Sequence, residues 1–303
     1  MSGRFAPSPT GQLHLGNLRT AVVAWLSARR ADRGFIVRME DLDFQQARPE
    51  IAARQLADMA ALGLDWDGEV SWQSDRLGLY HAAIDVLSAR GLVYECYCSR
   101  REIALEIEES ARAPHGLPGA YPGTCRDLTA DARAARRATG RPPALRLRTD
   151  GEYIGVTDGI HGYYEGVVDD VVLRRNDGVP AYNLAVVVDD GEQGVTEVVR
   201  GDDLLQSTPR QILLQRHLGY DQPSYLHVPL VVGADGERLA KRHGAVTLDD
   251  LAAIGHDPAD VVSWIGESLR IAPPGEVLDI GTMLGRFDPA VVPIDVCMAP
   301  DLR

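Results

Sequence analysis

Short apolar runs alternate with helix-length segments along the first hundred residues, and this alternation limits the folds open to the chain more than any single motif does. The run "GRFAP" leads through "SPTGQLHLG" into "NLRTAVVAWLSARRADRG", whose apolar spacing predicts a helix ended by Gly34. "FIVRME" then reads as a buried strand, Pro49 opens a second helix, and a third, "RLGLYHAAIDVLSARG", is followed by the strand-like "LVYECYC". Elements of these lengths in this order indicate βαβ units, hence an α/β fold with a doubly wound parallel sheet.

The alternation breaks from about residue 95 to 180, where Gly, Pro, Arg and Cys are richer. "APHGLPGAYPGTC" reads as a loop and "TADARAARRATG" as a short helix. The α/β pattern resumes with "PAYNLAVVVDD", "VTEVVRGDDLL", the helix "STPRQILLQRHLG" and the strand "YLHVPLVVG", and beyond 246 the chain reads as mainly helical with a Pro-rich finish. The expected organisation is therefore a first half of the sheet domain at 1–94, an insertion at 95–180, the second half at 181–245 and a short helical region at 246–303.

A chain of 303 residues with 45% apolar and 25% charged residues has the make-up of an ordinary globular protein with a sizeable core. Its formal net charge of -13 argues against coating nucleic acid through global charge, but residues 126–148 carry a local charge of +5. Within that stretch Arg133, Arg136 and Arg137 fall on one helix face and are the expected phosphate contacts; a solvated Arg face is the commoner meaning of such spacing. The N-terminal sequence has no secretory pattern and no apolar stretch is long enough for a bilayer, so the expectation is a cytoplasmic chain that engages no membrane.

Three of the four cysteines, Cys96, Cys98 and Cys125, fall close together. With Tyr121 they form C-x-C followed by Y-x-x-x-C, a thiolate-rich set of four ligands suited to one structural Zn²⁺ that would pin a loop-rich insertion. A redox thiol pair is the alternative, His115 is the substitute ligand should Tyr121 not bind, and Cys297 is expected to be a core thiol.

"HLGN", His14 to Asn17, sits where the first strand turns into the first helix, a usual ligand position in doubly wound sheets. Gly16 would let a phosphate or adenine approach the backbone, the helix start would offer N–H groups, and His14 and Asn17 would donate to phosphate oxygens. No G-x-x-x-x-G-K-[ST] is present and the first turn lacks G-x-G-x-x-G, so the P-loop and dinucleotide readings fail. Far along the chain, "GERLAKRHG" contains Lys241, the sole lysine among 31 basic side chains. A compact ammonium there differs in kind from the guanidinium used everywhere else.

"RFAPSPTGQLHLGNLRTA" resembles the opening of the class I glutamyl-tRNA synthetases, whose first signature is His-Ile-Gly-His or a variant. Their second signature, Lys-Met-Ser-Lys-Ser, is matched in degraded form by Arg238-Leu239-Ala240-Lys241-Arg242, with the sole lysine on the family's key lysine. "RMEDLD", "PAYNLAVVVDD" and "EVVRGDDLL" extend the likeness over most of the chain.

The resemblance implies a class I synthetase Rossmann-like domain with an inserted zinc-bearing subdomain, using ATP with Mg²⁺ and activating L-glutamate. His14, Gly16, Asn17 and Lys241 would serve ATP and catalysis. Arg4, Phe5, Ala6, Pro7 and Ser8, with Glu40, Tyr182 and Arg200, would bind glutamate. The charges suit two carboxylates and an ammonium, although Glu40 could instead pair with Arg38, and Arg200 with Asp202 or Asp203.

A glutamyl-tRNA synthetase continues into an all-helical anticodon-binding region, whereas this sequence stops at Arg303. With its Cys-x-Cys and Tyr-x-x-x-Cys arrangement it is similar to the shortened paralogous family, the glutamyl-Q tRNA(Asp) synthetases. That likeness implies transfer of glutamate to the queuosine base in the anticodon of tRNA(Asp), and a monomer is expected. The alternatives are a compact synthetase charging the 3′ end of tRNA(Glu) and a catalytically idle zinc-bearing RNA-binding paralogue.

Overall fold

The first strand is short: β1 (Ser2–Phe5) is wholly buried and ends at the Pro- and Gly-bearing turn that follows. In the computed structural model, which describes residues 1–99, 101–105, 121–237, 239 and 246–299, that turn feeds helix α1 (Leu15–Arg30). Its apolar stripe, with Leu18, Val22 and Leu26 inaccessible to solvent, packs on β1. The helix stops earlier than its spacing predicts. Asp32 takes the left-handed turn at φ 51° and Arg33 N–H donates to the Ala28 carbonyl at 2.9 Å, so Gly34 is free to open β2 (Gly34–Met39).

β1 pairs parallel with β2, and β2 with the short β3 (Ser71–Trp72). Between them runs α2 (Pro49–Ala61), started by Pro49 as expected, and α3 (Leu77–Ala89) follows β3. The second half supplies β9 (Glu197–Gly201) and β10 (Ser224–Val228), also parallel. Backbone bonds from Ser2 to Gly194 and Thr196 seat β1 beside the start of β9. The strand order therefore reverses at the β1/β9 seam, and in a doubly wound sheet the crevice at the carboxyl ends of such a pair is where ligands bind. One core lies around α1 and the helices beyond 246, and a second around α3 and the helices at Tyr182–Glu192 and Thr208–Leu218.

The segment from 95 to 180 divides into two parts. β4 (Val93–Cys96), β5 (Ala144–Leu147) and β8 (Val172–Arg174) form a separate antiparallel sheet. β6 (Tyr153–Asp158) and β7 (Gly162–Val167) form a hairpin that joins the other sheet, since β6 pairs parallel with β10 and buries Ile154, Val156 and Asp158. Composition could not separate the two, because a strand added at a sheet edge carries the same alternation as one in an isolated hairpin. The last residues described are not all helical: Cys297 and Met298 form a two-residue strand beside Val231 and Val232, with Cys297 half-buried against the core.

Candidate active site

The seam at β1 and β9 opens into a cleft of about 540 Å³ lined by Arg4 through Ser8, His14, Gly16, Asn17, Glu40, Tyr182 and Arg200. Residues from four separate stretches of sequence thus meet in one cavity. Arg4 is buried; its Nη1 donates to the Val199 carbonyl at 2.9 Å and its Nε faces Asp190 at 3.4 Å. Asp190 also accepts from Arg38 Nη1 at 2.8 Å. Burial alone would raise the Asp190 pKa, but Arg38 and Arg4 hold it below the usual carboxylate range.

Arg38 pairs with Glu40 as the sequence allowed, at 3.3 Å. It is itself fully buried and held charged by Asp190, Glu40 and Asp189 against the cost of desolvation. Glu40 remains among the residues lining the cleft, and burial pushes its carboxyl upward in spite of Arg38 and Arg4. A buried carboxylate short of positive charge is a fitting receptor for a ligand ammonium.

Arg200 does not use Asp202 or Asp203. Its Nε donates to His227 Nε2 at 3.0 Å, Nη1 to Gln211 at 2.7 Å and Nη2 to Thr208 Oγ1 at 2.8 Å. Its direct acceptors are neutral, so no carboxylate is hydrogen-bonded to the guanidinium at the edge of the cleft, which suits a ligand carboxylate. Tyr182, the first residue of its helix, also lines the cleft; the residue is 40% exposed, yet its hydroxyl pKa is raised by loss of hydration and then by Glu40.

The start of α1 is not an open row of N–H groups. His14 Nδ1 accepts from the Gly16 and Asn17 amides at 3.1 and 3.3 Å, and Asn17 Oδ1 accepts from the His14 amide at 3.2 Å, closing a reciprocal cap. Accepting at Nδ1 puts the proton of the neutral ring on Nε2, so the histidine replaces the capped amides as donor. The ring crowds Gly16: a Cβ there would lie 3.0 Å from His14 Cε1 and 3.1 Å from Nδ1, so the ring would have to shift by a few tenths of an ångström to admit one. Lys241 lies outside the described residues, as do Arg238, Ala240, Arg242 and His115.

The cysteines do not line this cleft, but Cys98 borders a neighbouring cavity that shares Ser8, Glu40 and Tyr182 with it. The sulfurs of Cys96, Cys98 and Cys125 all lie within 4.8 Å of one another. The Tyr121 hydroxyl is 3.3 Å from Cys96 Sγ and 3.6 Å from Cys98 Sγ. Tetrahedral zinc–thiolate bonds of about 2.3 Å separate ligands by a little under 4 Å, so the four donors fit one such ion. The contacts with Cys98 and then Tyr121 lower the Cys96 pKa and favour its thiolate, and Arg146 sits over the Tyr121 ring at 3.8 Å.

The arginine face is less basic than its sequence. On the helix Ala130–Ala138, Arg137 is bound to Glu95 at 2.7 Å and Arg136 lies 3.9 Å from Glu102, while Arg133 reaches the Leu128 carbonyl. Arg126, Arg141 and Arg148 are paired with Asp170, Glu102 and Asp127. Glu95, Glu102 and Asp170, which lie outside the stretch, thus offset part of the local charge, and a count within the stretch cannot reveal them.

Arg38 entered the sequence reading only as a partner for Glu40, and the other supporting residues around the cleft, Asp158, Asp189, Asp190, Gln211 and His227, were not found from sequence. The usable signal was a polar residue inside an apolar run, as in "FIVRME" and "YLHVPLVV", because such a residue in a buried strand must have a partner.

The family described as tRNA synthetases class I (E and Q), catalytic domain, matches residues 1–267. The chain is 58% identical over 294 residues to the glutamyl-Q tRNA(Asp) synthetase of Nocardia farcinica, covering 96% of this chain and 91% of that one. It is 47% identical to the protein of the same name from Symbiobacterium thermophilum, over 99% and 96% of the two chains. Among solved structures, a glutamate tRNA ligase from Elizabethkingia meningosepticum, in complex with its amino acid, superposes with a TM-score of 0.84 at 25% identity. It covers 98% of this chain and 66% of that one.

Proposed function

Since this chain belongs to the class I tRNA synthetases of the E and Q group, we propose that it activates L-glutamate with ATP and transfers it to the queuosine base in the anticodon of tRNA(Asp). The observation that carries the activation step is the meeting of Arg4, Arg200 and Glu40 in one cleft beside the His14–Asn17 turn. Two guanidinium groups and one carboxylate complement the two carboxylates and one ammonium of glutamate. The likeness to two glutamyl-Q tRNA(Asp) synthetases over nearly the whole chain supports the acceptor.

In this reading the glutamate α-carboxylate attacks the α-phosphorus of ATP, forming glutamyl-adenylate and releasing pyrophosphate. A hydroxyl of the cyclopentene ring of queuosine then attacks the acyl carbon, forming the ester and releasing AMP. Little side-chain proton transfer is needed, and alignment with charge stabilisation supplies the acceleration. Arg4 and Arg200 orient the carboxylates, Glu40 holds the ammonium, and Phe5, Ala6, Pro7, Ser8 and Tyr182 wall the pocket. His14, Gly16 and Asn17 border the triphosphate, and Lys241 stabilises its developing charge. Mg²⁺ bound with ATP would neutralise phosphate oxygens.

Cys96, Cys98, Tyr121 and Cys125 would hold one structural Zn²⁺, and Arg133, Arg136 and Arg137 would meet tRNA phosphate. The four-part organisation at 1–94, 95–180, 181–245 and 246–303 is kept as a functional division, with the β6–β7 hairpin tying the insertion to the catalytic sheet. Among the described residues no helix is long and apolar enough to cross a membrane, and the enzyme is proposed to act in the cytoplasm as a monomer.

Labelled glutamate supplied with ATP and, separately, queuosine-bearing tRNA(Asp) and tRNA(Glu) tests this, with the labelled nucleoside then identified. Label on queuosine is expected. Label on a 3′-terminal adenosine of tRNA(Glu) would instead establish a compact charging enzyme, and no glutamate-dependent ATP–pyrophosphate exchange would establish an idle paralogue.

A further inference from the structure

A buried chain of hydrogen bonds runs from the β6–β7 hairpin through β10 to the side chain of Arg200. Asp158, at the end of β6, accepts through Oδ2 from the backbone amide of His227 at 3.0 Å and faces His227 Nδ1 at 2.7 Å. Its Oδ1 accepts from the amides of Ile160 and His161, both at 2.9 Å, so both carboxylate oxygens are committed. His227 is wholly inaccessible to solvent, Asp158 2% exposed and Arg200 5% exposed. The Tyr225 ring stacks on the imidazole with centroids 5.9 Å apart.

The donor inventory fixes the protonation pattern. Arginine has only donors, so the contact at Arg200 Nε obliges His227 Nε2 to accept. The ring proton must then sit on Nδ1, where it meets Asp158. The opposite tautomer would set N–H against N–H at Arg200. Thr208 Oγ1, 3.2 Å from the same ring nitrogen and 2.8 Å from Arg200 Nη2, completes the cradle.

We propose that Asp158 and His227 are positioning residues for amino-acid activation: Asp158 selects the His227 tautomer whose Nε2 aims the Arg200 guanidinium at a glutamate carboxylate. This rests on the reading of the cleft as a glutamate pocket. It makes the hairpin of the insertion part of amino-acid recognition, although no atom of the hairpin need touch the ligand. Burial lowers the His227 pKa, with Arg200 acting in the same direction against Asp158, which agrees with a neutral ring.

The test uses the full chain, glutamate-dependent ATP–pyrophosphate exchange and three variants. In Asp158→Asn an amide donor facing His227 favours the wrong tautomer, and His227→Leu removes the acceptor. Both are expected to raise KM for glutamate about tenfold or more, the loss of a hydrogen bond to a charged group, with KM for ATP unchanged within about twofold. His227→Gln, whose side-chain carbonyl accepts from Arg200 Nε, is expected to restore much of the loss. Equal effects on both KM values, no effect, or Gln no better than Leu would overturn the proposal.

Independently of any variant's folding, long-range ¹H–¹⁵N spectra of histidine-labelled wild type should show His227 protonated at Nδ1. A proton on Nε2 overturns the chain. Wild type lacking glutamate-dependent exchange would instead overturn the glutamate reading, and the spectrum would still decide the tautomer.

Discussion

Gly16 lies against the ring of His14: a Cβ on Gly16 would stand 3.0 Å from His14 Cε1, tighter than ordinary side-chain contact permits. The same ring caps α1 through Nδ1, so ring and glycine form one device. Gly16→Ala is expected to push the ring off its cap, lowering stability by about 1 kcal/mol, the usual worth of such a cap. ATP–pyrophosphate exchange should fall with it, because the Nε2 donor moves. Thermal melts and exchange assays check this; wild-type KM for ATP in Gly16→Ala would show that the ring does not serve ATP.

Glu40 sets binding against stability. Its folded pKa is raised, so the folded chain holds this proton more tightly than the unfolded chain does. Stability is therefore lost as pH rises from the ordinary glutamate value of roughly 4.3 through the raised value, and stays reduced above it. Glu40→Gln is expected to raise the melting temperature of the ligand-free protein at neutral pH while sharply raising KM for glutamate. The stability difference should shrink as pH falls through that window. Arg38 keeps Asp190 at 2.8 Å and Asp189 at 3.5 Å in the variant, so it is not left unpaired.

These two cases mark what sequence could and could not supply. The βαβ alternation, the turn at His14 and the charged residues at strand ends were readable because each depends on local spacing. Their convergence follows from the seam between β1 and β9, which joins residues some 195 positions apart, as in the Arg4–Val199 bond. The buried partners Asp189, Asp190 and His227 were illegible because a charge in an apolar run shows that it needs a partner without showing which. The division of the insertion between two sheets failed for a related reason: strand alternation does not name the neighbouring strand.

Metal removal should separate the insertion from the catalytic sheet. Around Cys96, Cys98, Tyr121 and Cys125 the described apolar cluster is small, so the ion would supply much of the local order. Elemental analysis of purified protein is expected to give one zinc per chain, and Cys125→Ser should lose it. Tyr121→Phe should retain zinc less tightly, since the three thiolates remain. Chelation should increase amide exchange at residues 94–98 and 121–126 and leave β1 and β9 protected; uniform loss of protection would contradict a local role.

On the arginine face the three candidates should behave differently. Arg137 is bound to Glu95 at 2.7 Å, so releasing it to a phosphate would cost that ion pair and leave the carboxylate with the Tyr97 hydroxyl and solvent. Arg133, held by the Leu128 carbonyl at 3.4 Å, has less to give up. Arg133→Ala is expected to reduce the slope of log affinity against log salt for tRNA by about 1. Arg137→Ala should leave the slope nearly unchanged. Binding titrations at several salt concentrations decide; equal slopes for both variants would remove the distinction.

Lys241 provides the most direct test of ATP activation. The position lies outside the described residues, so the expectation rests on charge chemistry and on the match to the second synthetase signature. A flexible ammonium follows charge as it develops on phosphate oxygens, whereas a planar guanidinium fixes its donors in a fork. Lys241→Ala is expected to lower glutamate-dependent exchange by on the order of a hundredfold or more, as loss of one well-placed donor does elsewhere. Lys241→Arg should recover only part of this even though it restores the charge. Melting temperature should be unchanged in both, and full activity of Lys241→Arg would show that charge alone suffices there, making the single lysine in an arginine-rich chain an accident of composition.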